Sequence, residues 1–474
     1  MNAHRKLARS ALVLGSALGF VLLARAQATA PASAPTGTLS LRQAIETAQL
    51  RYPAIVAAQE RQQAARASIG LARTAYLPRV DMLWQGNRAT TNKPNMTYIP
   101  EGIVPVPNPP ARPTTGHSDW NSLAGVLFAW QPFDFGVRRG EVSAAGFQYE
   151  SAQRATALSR LDVGSAAAGA FFDVVAARQT VAVQQANMQR MEAFAHSVHV
   201  LVDNQLRPGA DASQADAQLA AARTQLIQAQ TEAQVHLDAL ANFLQVSAAD
   251  LNIDDTRVLG DAPSDNPGAV TIDAHPAVQQ EQAFLNEQKQ NLHVLSRSYA
   301  PIFTLYGSVS GLGSGLSNTS PSPAFKGGTA GLAPDTYNWV AALQVTFPAF
   351  QIFSLHQQKK QQEAQVLSTQ AAWTQMRSDL SAQVKEAQAM LDGARRVAQN
   401  TPVELSAARA SEQQQQARYR SGLATVIEVS AAEAALAQAE ADDALARLNV
   451  WRGLAGVAEA QGDLSPFLQL LGQP

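Results

Sequence analysis

The feature that most constrains this sequence is a long helix–turn–helix pattern between Gln351 and Ala460. From Ile352 to Arg420 the residues are mostly Ala, Gln, Glu, Arg, Lys and Leu, which lose little free energy on becoming helical. At about 1.5 Å per residue this segment predicts a helix of roughly 100 Å, about three times the thickness of a bilayer core. Such a hairpin is typical of a rod or a duct and not of a soluble enzyme.

The hairpin is predicted to turn where the long helix meets Ser421 and Gly422. Glycine readily adopts the left-handed backbone conformation that ends many helices. Thr425 and Glu428 then have the T-x-x-E spacing of a capping box, which satisfies backbone N–H groups at a helix start. A return helix over 425–456 is therefore expected to run back along the first helix.

The second half of the chain repeats the order of the first. Two X-Pro steps recur with one common shift, Tyr52-Pro53 as His275-Pro276 and Leu77-Pro78 as Ala300-Pro301. The pattern predicts repeats over 38–245 and 273–460, a polar linker over 246–272 and a C-terminal tail over 461–474. Within the repeats it predicts strands near 79–88, 119–131, 301–311 and 337–347, long helices over 137–206 and 352–420, and return helices over 211–245 and 425–456.

The first return helix carries a coiled-coil seam. Its residues follow one another at alternating spacings of three and four, as packing between antiparallel helices requires. The seam positions are Leu219, Ala222, Leu226, Ala229, Ala233, His236, Leu240 and Phe243. The expected fold class is mainly α, with long antiparallel coiled-coil helices and a smaller membrane β-barrel part.

The last predicted strand alternates between apolar and polar residues, as a membrane barrel strand does. Trp339, Leu343 and Val345 share one face, which is predicted to contact lipid. Asn338, Gln344 and Thr346 share the other face, which is predicted to line the lumen. The alternative is a sheet in a soluble domain with one face on a core. The membrane interpretation is preferred because no other segment is available to cover the sheet.

Four strands cannot close a barrel, and open sheet edges are not tolerated in lipid. Other copies of the chain must therefore complete the sheet. Three copies give about twelve strands, an even number in the range that such barrels use. A closed barrel followed by a ring of long helices is a tube.

The N-terminus has the features of a cleavable secretory signal peptide over 1–28. A basic region precedes an apolar run from Ala11 to Ala24, and small residues place the cleavage after Ala26 or Ala28; an uncleaved anchor is the alternative. The sequence contains no cysteine, which excludes disulfides and a lipid-modified N-terminal cysteine. A formal net charge of −2 without basic runs argues against nucleic acid as a partner.

The sequence contains no catalytic constellation, so no enzyme activity and no cofactor are expected. The glycine-rich segment from Gly311 to Gly315 follows a strand, but no helix follows it, so the context of a phosphate-binding loop is missing. His196 and His199 are spaced to share a metal ion, yet the sequence offers no third ligand. Solvated helix histidines are the preferred interpretation.

The order of these elements resembles that of the TolC-like outer-membrane efflux proteins over nearly all of the mature sequence, including the tip segment from Tyr419 to Val429. The resemblance implies a homotrimer with a twelve-stranded barrel in the outer membrane and a helical tunnel across the periplasm. It also implies docking to a periplasmic adaptor and an inner-membrane pump, as a passive exit duct for small molecules, drugs or metals. The alternatives are the outer-membrane component of a protein secretion system and a periplasmic coiled-coil adaptor or scaffold.

The resemblance also assigns roles at the tips of the hairpins. Tyr419 matches a family tyrosine that helps to hold the tunnel closed, whereas the family's arginine two residues after the glycine is replaced here by Ala424. Glu428 matches an acidic residue that narrows the pore, and it equally completes the capping box. The expected gate residues are Tyr419, Glu428, Arg418 and Arg420, with Asp211 and Asp216 as acceptors, and the expected adaptor-docking residues are Arg207, Gly209, Ser421 and Gly422. Plain helix termination is the alternative interpretation of the two turns.

Overall fold

A computed structural model describes residues 38–90, 118–260, 263, 268, 271–315 and 326–472. The signal-peptide prediction for residues 1–28 lies outside this range. The helices and strands, in chain order, are β1 Thr38–Leu39, α1 Leu41–Arg51, α2 Pro53–Thr74, β2 Arg79–Thr90, β3 Ser118–Phe133, α3 Val137–Asp203, α4 Gly209–Leu244, β4 Asn252–Ile253, α5 Thr256–Leu259, α6 Pro276–Arg297, β5 Ile302–Ser314, β6 Thr336–Thr346, α7 Gln351–Arg420, α8 Val426–Ala460 and α9 Ser465–Leu470. The predicted fold class, mainly helical with a small β part, is confirmed.

Two long helical hairpins dominate the described part of the chain. α3 packs along α4, and α7 packs along α8. α7 has 70 residues and continues through Pro402, although proline removes one backbone donor. The predicted seam of α4 lies against α3, and every one of its positions is buried or half-buried. Alanine at several seam positions lets the two backbones approach closely.

The four long strands form one antiparallel sheet in the order β2-β3-β5-β6. The register aligns an apolar row across all four strands, Met82, Val126, Val309 and Trp339. Trp339 is 76% exposed and Met82 is 84% exposed, whereas Ser308 and Ser310 on the opposite face of β5 are buried. β2 and β6 each have one edge without a partner among the described strands.

The main core lies between the sheet and the hairpin tips. It combines Phe171 and Phe172 of α3 with Leu240 of α4 and with Trp451 and Leu454 of α8, all fully buried. By length and composition alone, α3 contains the one stretch among the described residues that is apolar enough to span a bilayer, and 39% of that stretch is buried. Its contribution to this core gives those apolar residues a packing role within the protein.

Two segments predicted to be a linker and a tail contribute to the core. Within 246–272, β4 pairs in parallel with β1, and Ile253 and Val258 are buried. Within 461–474, α9 places Phe467 at 6.4 Å from Trp451, measured between ring centroids. The elements in these two segments, β4, α5 and α9, are too short to produce a periodic pattern in the sequence.

Candidate functional site

The turns of the two hairpins lie side by side and share a small apolar cluster. Phe194 of α3 meets Tyr419 of α7 edge to face, with 5.2 Å between ring centroids. Val198, Val426 and Val429 are buried in the same cluster. The tips are therefore packed together within one chain.

The second turn ends α7 as predicted. Gly422 adopts a left-handed conformation with φ of 79°. Its N–H donates to the carbonyl of Tyr419 at 3.0 Å, and the N–H of Leu423 donates to the carbonyl of Arg418 at 2.8 Å. This pair of bonds is the Schellman motif, which satisfies the last carbonyls of the helix.

In the first turn, the residue with the left-handed conformation is not the predicted glycine. Gln205, not Gly209, takes the left-handed position, with φ of 61°, and the N–H of Leu206 closes the same motif onto Leu201 at 2.9 Å. Gly209 is instead the first residue of α4, after Pro208. Gln205 is therefore the structural counterpart of Gly422. A residue other than glycine is tolerated here because the two backbone hydrogen bonds that close the turn offset the free-energy cost of the left-handed conformation.

Arg207 adds a polar link between the two turns. Its Nη2 donates to the carbonyl of Tyr419 at 2.8 Å and to that of Ala424 at 3.4 Å. The guanidinium also lies 4.5 Å above the centroid of the Tyr419 ring, a cation–π arrangement. The sequence placed Arg207 among the docking residues and missed this role.

Aligning the two turns on their left-handed residues would have revealed the role of Arg207. It stands two positions after Gln205, as Ala424 stands two positions after Gly422. The arginine expected near Tyr419 is thus supplied by the first turn. Arg418 instead donates to the carbonyl of Leu423 in its own turn at 3.3 Å. Arg420 is exposed and, with Ser197 and Gln416, borders a cavity of about 170 Å³ between α3 and α7.

The two expected acceptors occupy different places. Asp211 lies beside Arg207, with Oδ2 4.0 Å from Nη1. Asp216 binds His199 at 2.9 Å, and this hydrogen bond raises the pKa of His199. Only Asp211 therefore belongs to the contact between the turns. The described residues contain no group of three side chains able to hold a metal ion.

Tyr419 is 3% exposed, and its hydroxyl has no hydrogen-bond partner among the described residues. Burial raises the pKa of the phenol, and Asp211 raises it further. Tyr419 contributes to the tip through its ring and its backbone carbonyl.

Glu428 forms the predicted capping box. Its carboxylate accepts from the N–H of Thr425 at 2.6 Å, and the N–H of Glu428 donates to Thr425 Oγ1 at 3.3 Å. Hydrogen bonds from Thr425 lower the pKa of the Glu428 carboxyl, which is therefore ionised at neutral pH. Whether the same carboxylate lines a pore stays a prediction.

We expect Glu428→Gln and Thr425→Ala to have different effects. If three Glu428 carboxylates surround a narrow opening, Glu428→Gln reduces cation selectivity and block by multivalent cations in planar bilayers. Thr425→Ala weakens the start of α8 by about 1 kcal/mol and leaves selectivity in place. Unchanged selectivity in Glu428→Gln would assign the residue to the cap alone.

In the sheet, at the other end of the long helices from the turns, the residues predicted to contact lipid share one exposed face. Leu343 is 66% exposed and Val345 is 40% exposed, and both point to the same side as Trp339. Leu343 lies opposite Leu305, which continues the apolar face onto β5. Contact of this face with lipid stays a prediction.

Comparison with known proteins agrees with this architecture. A family model described as outer membrane efflux protein matches residues 44–244 and 271–463. The chain is similar to Protein CyaE of Bordetella pertussis, with 30% identity over 217 residues, 45% of this chain and 40% of that protein. The match thus spans less than half of that relative.

Solved structures share the fold at low sequence identity. The outer membrane protein VceC of Vibrio cholerae matches with a TM-score of 0.73 and 16% identity, covering 89% of this chain and 96% of VceC. The outer-membrane channel OprN matches with a TM-score of 0.71 and 18% identity, covering 89% of each chain. The chain belongs to the outer membrane efflux protein family, whose members are passive outer-membrane channels and not enzymes.

Proposed function

We propose that three copies of this chain form a closed channel-tunnel that gives small molecules, drugs or metals an exit across the outer membrane. The observation that carries the proposal is the four-stranded sheet, which exposes an apolar face and leaves one edge of β2 and one edge of β6 unpaired within the described chain. Exposed edges are incompatible with lipid. If β6 of each copy pairs with β2 of the next copy around the ring, no strand edge is left unpaired.

The helical hairpins supply the periplasmic part of the duct. A helix of 70 residues reaches roughly 100 Å at about 1.5 Å per residue, far more than a bilayer requires. α7 is rich in Gln and in charged residues, and most of its surface is exposed within one chain. Such a surface suits a water-filled passage that does not bind its cargo tightly.

The hairpin tips are the proposed docking surface for a periplasmic adaptor, which links the channel to an inner-membrane pump. Three apolar side chains are largely exposed there: Leu206 and Leu423 at 69% each and Ile427 at 64%. Arg207 and the cluster behind it hold the two turns in one arrangement. A surface fixed in this way loses little entropy when a partner binds.

The docking proposal is tested by comparing Gly422→Trp with Gly422→Ala in cells that carry the adaptor and pump. Both variants place a side chain at a left-handed position and so share the backbone cost, about 1–2 kcal/mol. A Cβ at this position meets no other atom within 4 Å, so the indole projects outward. We expect only Gly422→Trp to weaken adaptor cross-linking and efflux, while both variants remain trimers.

Three results would count against the proposed function. Unchanged efflux and cross-linking in Gly422→Trp would leave the tip as a plain helix terminus. Recovery of the wild-type chain with soluble periplasmic proteins on membrane fractionation would instead favour an adaptor or scaffold. Accumulation of a protein cargo in the periplasm of the deletion strain, with small-molecule efflux intact, would assign the channel to protein secretion.

A further inference from the structure

A cluster of charged side chains with two buried glutamates at its centre connects three helices between the hairpin tip and the main core. Arg190 of α3 donates through Nε to Glu433 Oε2 at 2.9 Å and through Nη2 to Glu440 Oε2 at 3.1 Å, and both glutamates belong to α8. The Glu433 side chain is 1% exposed. α3 and α8 are therefore held together by one guanidinium between two carboxylates.

A third carboxylate enters this cluster from α7. Glu412 is 8% exposed and lies on α7 one helical turn before Gln416, beside Glu433. Gln416 also donates to Glu433 Oε1 at 3.0 Å. Arg409 approaches Glu440, with Nη2 3.9 Å from Oε1.

The charges of this cluster do not balance when every carboxyl is ionised. Three carboxylates, from Glu412, Glu433 and Glu440, face two guanidinium groups, from Arg190 and Arg409. Two adjacent buried carboxylates repel each other, and neither can donate a hydrogen bond to the other. One proton removes the repulsion and lets one carboxyl group donate to its neighbour.

We propose that Glu412 and Glu433 bind one proton between them, and that this proton joins α7 to α8 and, through Arg190, to α3. The site goes beyond the proposed transport function, since it concerns how the helices of one chain are held together. Burial and the neighbouring Glu433 raise the pKa of Glu412 from 4.5 to about 7, in agreement with the geometry. Neutral pH then lies within the titration range of the site.

The sign of the pH dependence follows from this proton. Between about pH 4.5 and 7 the folded chain binds a proton that the unfolded chain releases, so stability decreases as pH rises through this interval. Above about pH 7 both states are ionised at this position, and the contribution of the site no longer changes. The contact between α7 and α8 is thus strongest in mildly acidic surroundings.

The test uses the full-length protein purified in detergent. Infrared spectra recorded across this pH range should show a protonated carboxyl band in the wild type that disappears around neutrality. We expect Glu412→Gln to lack that band and to unfold at a higher temperature than the wild type at about pH 8, with little difference at about pH 5. A glutamine has the shape of the protonated acid and keeps its donor. Glu404→Gln, an exposed change on the same helix, should behave as the wild type does.

Several outcomes would overturn the proposal. A wild-type protein without a carboxyl band that titrates near neutrality would show that Glu412 and Glu433 are both ionised, and this measurement requires no variant. A band that persists in Glu412→Gln would assign the proton to another acid. Equal loss of stability at both pH values would make Glu412 an ordinary ion-pair partner. All these readouts are independent of transport.

Discussion

Leu343→Arg should sharply lower the amount of assembled trimer recovered from the outer membrane. Leu343 lies near the middle of β6, is 66% exposed and faces the same side as Trp339. An arginine near the bilayer midplane of a barrel costs roughly 2–4 kcal/mol, and the trimer repeats that cost in every copy. Resistance to dissociation in detergent, measured by gel mobility without heating, reports the assembled fraction.

Gln344→Arg is the matched control, because successive residues of a strand point to opposite faces. The same charge is then placed one residue away, on the side predicted to line a water-filled lumen. Normal assembly of Gln344→Arg beside poor assembly of Leu343→Arg is the expected result. The reverse would show that the sheet faces are inverted with respect to lipid.

The alternation of residues within one strand could be predicted from the sequence, whereas the register between strands could not. Alternation along β6 separates Trp339 and Leu343 from Asn338 and Gln344 without any knowledge of neighbouring strands. The continuous apolar face depends on register, which aligns Trp339 with Val309. Register is set by pairing between segments distant in the chain, so no local pattern contains it.

Helix ends were predicted well where one residue type decides them and poorly where contacts do. Gly422 ends α7 because glycine accepts a left-handed backbone, and Thr425 begins α8 because its side chain caps the first turn. Gln205 has no such local signal, since its conformation is stabilised by the two hydrogen bonds that close the turn. The contact between Arg207 and Tyr419 joins residues far apart in sequence and becomes visible only once the two hairpins lie side by side.

Arg207→Ala is expected to have the second large effect, a loosening of both turns without unfolding of the chain. The guanidinium is half-buried, donates to two carbonyls of the second turn and stacks on Tyr419. A hydrogen bond from a charged donor contributes about 1.5–3 kcal/mol, and the cation–π contact adds about 0.5–1 kcal/mol. Removing both should therefore make local opening of the tip easier by about 2–4 kcal/mol.

Amide hydrogen exchange measures this opening directly. The amides of Leu206, Gly422 and Leu423 close the two turns, and we expect them to exchange roughly 30- to 1000-fold faster in Arg207→Ala. Amides of the distant core around Trp451 should be unchanged. Easier opening of the tip should also raise the open fraction of single channels in planar bilayers if the tip closes the tunnel.

Tyr419→Phe is the control for Arg207→Ala: it shows whether any substitution among the tip residues speeds amide exchange there. The Tyr419 hydroxyl is buried without a partner, so its removal sacrifices no hydrogen bond among the described residues. The ring that meets Phe194 and Arg207, and the carbonyl that accepts from Arg207, are both retained. Tip exchange in Tyr419→Phe should match the wild type. Equal exchange in Arg207→Ala and the wild type would mean that the apolar cluster alone holds the turns together, with Arg207 contributing no measurable free energy.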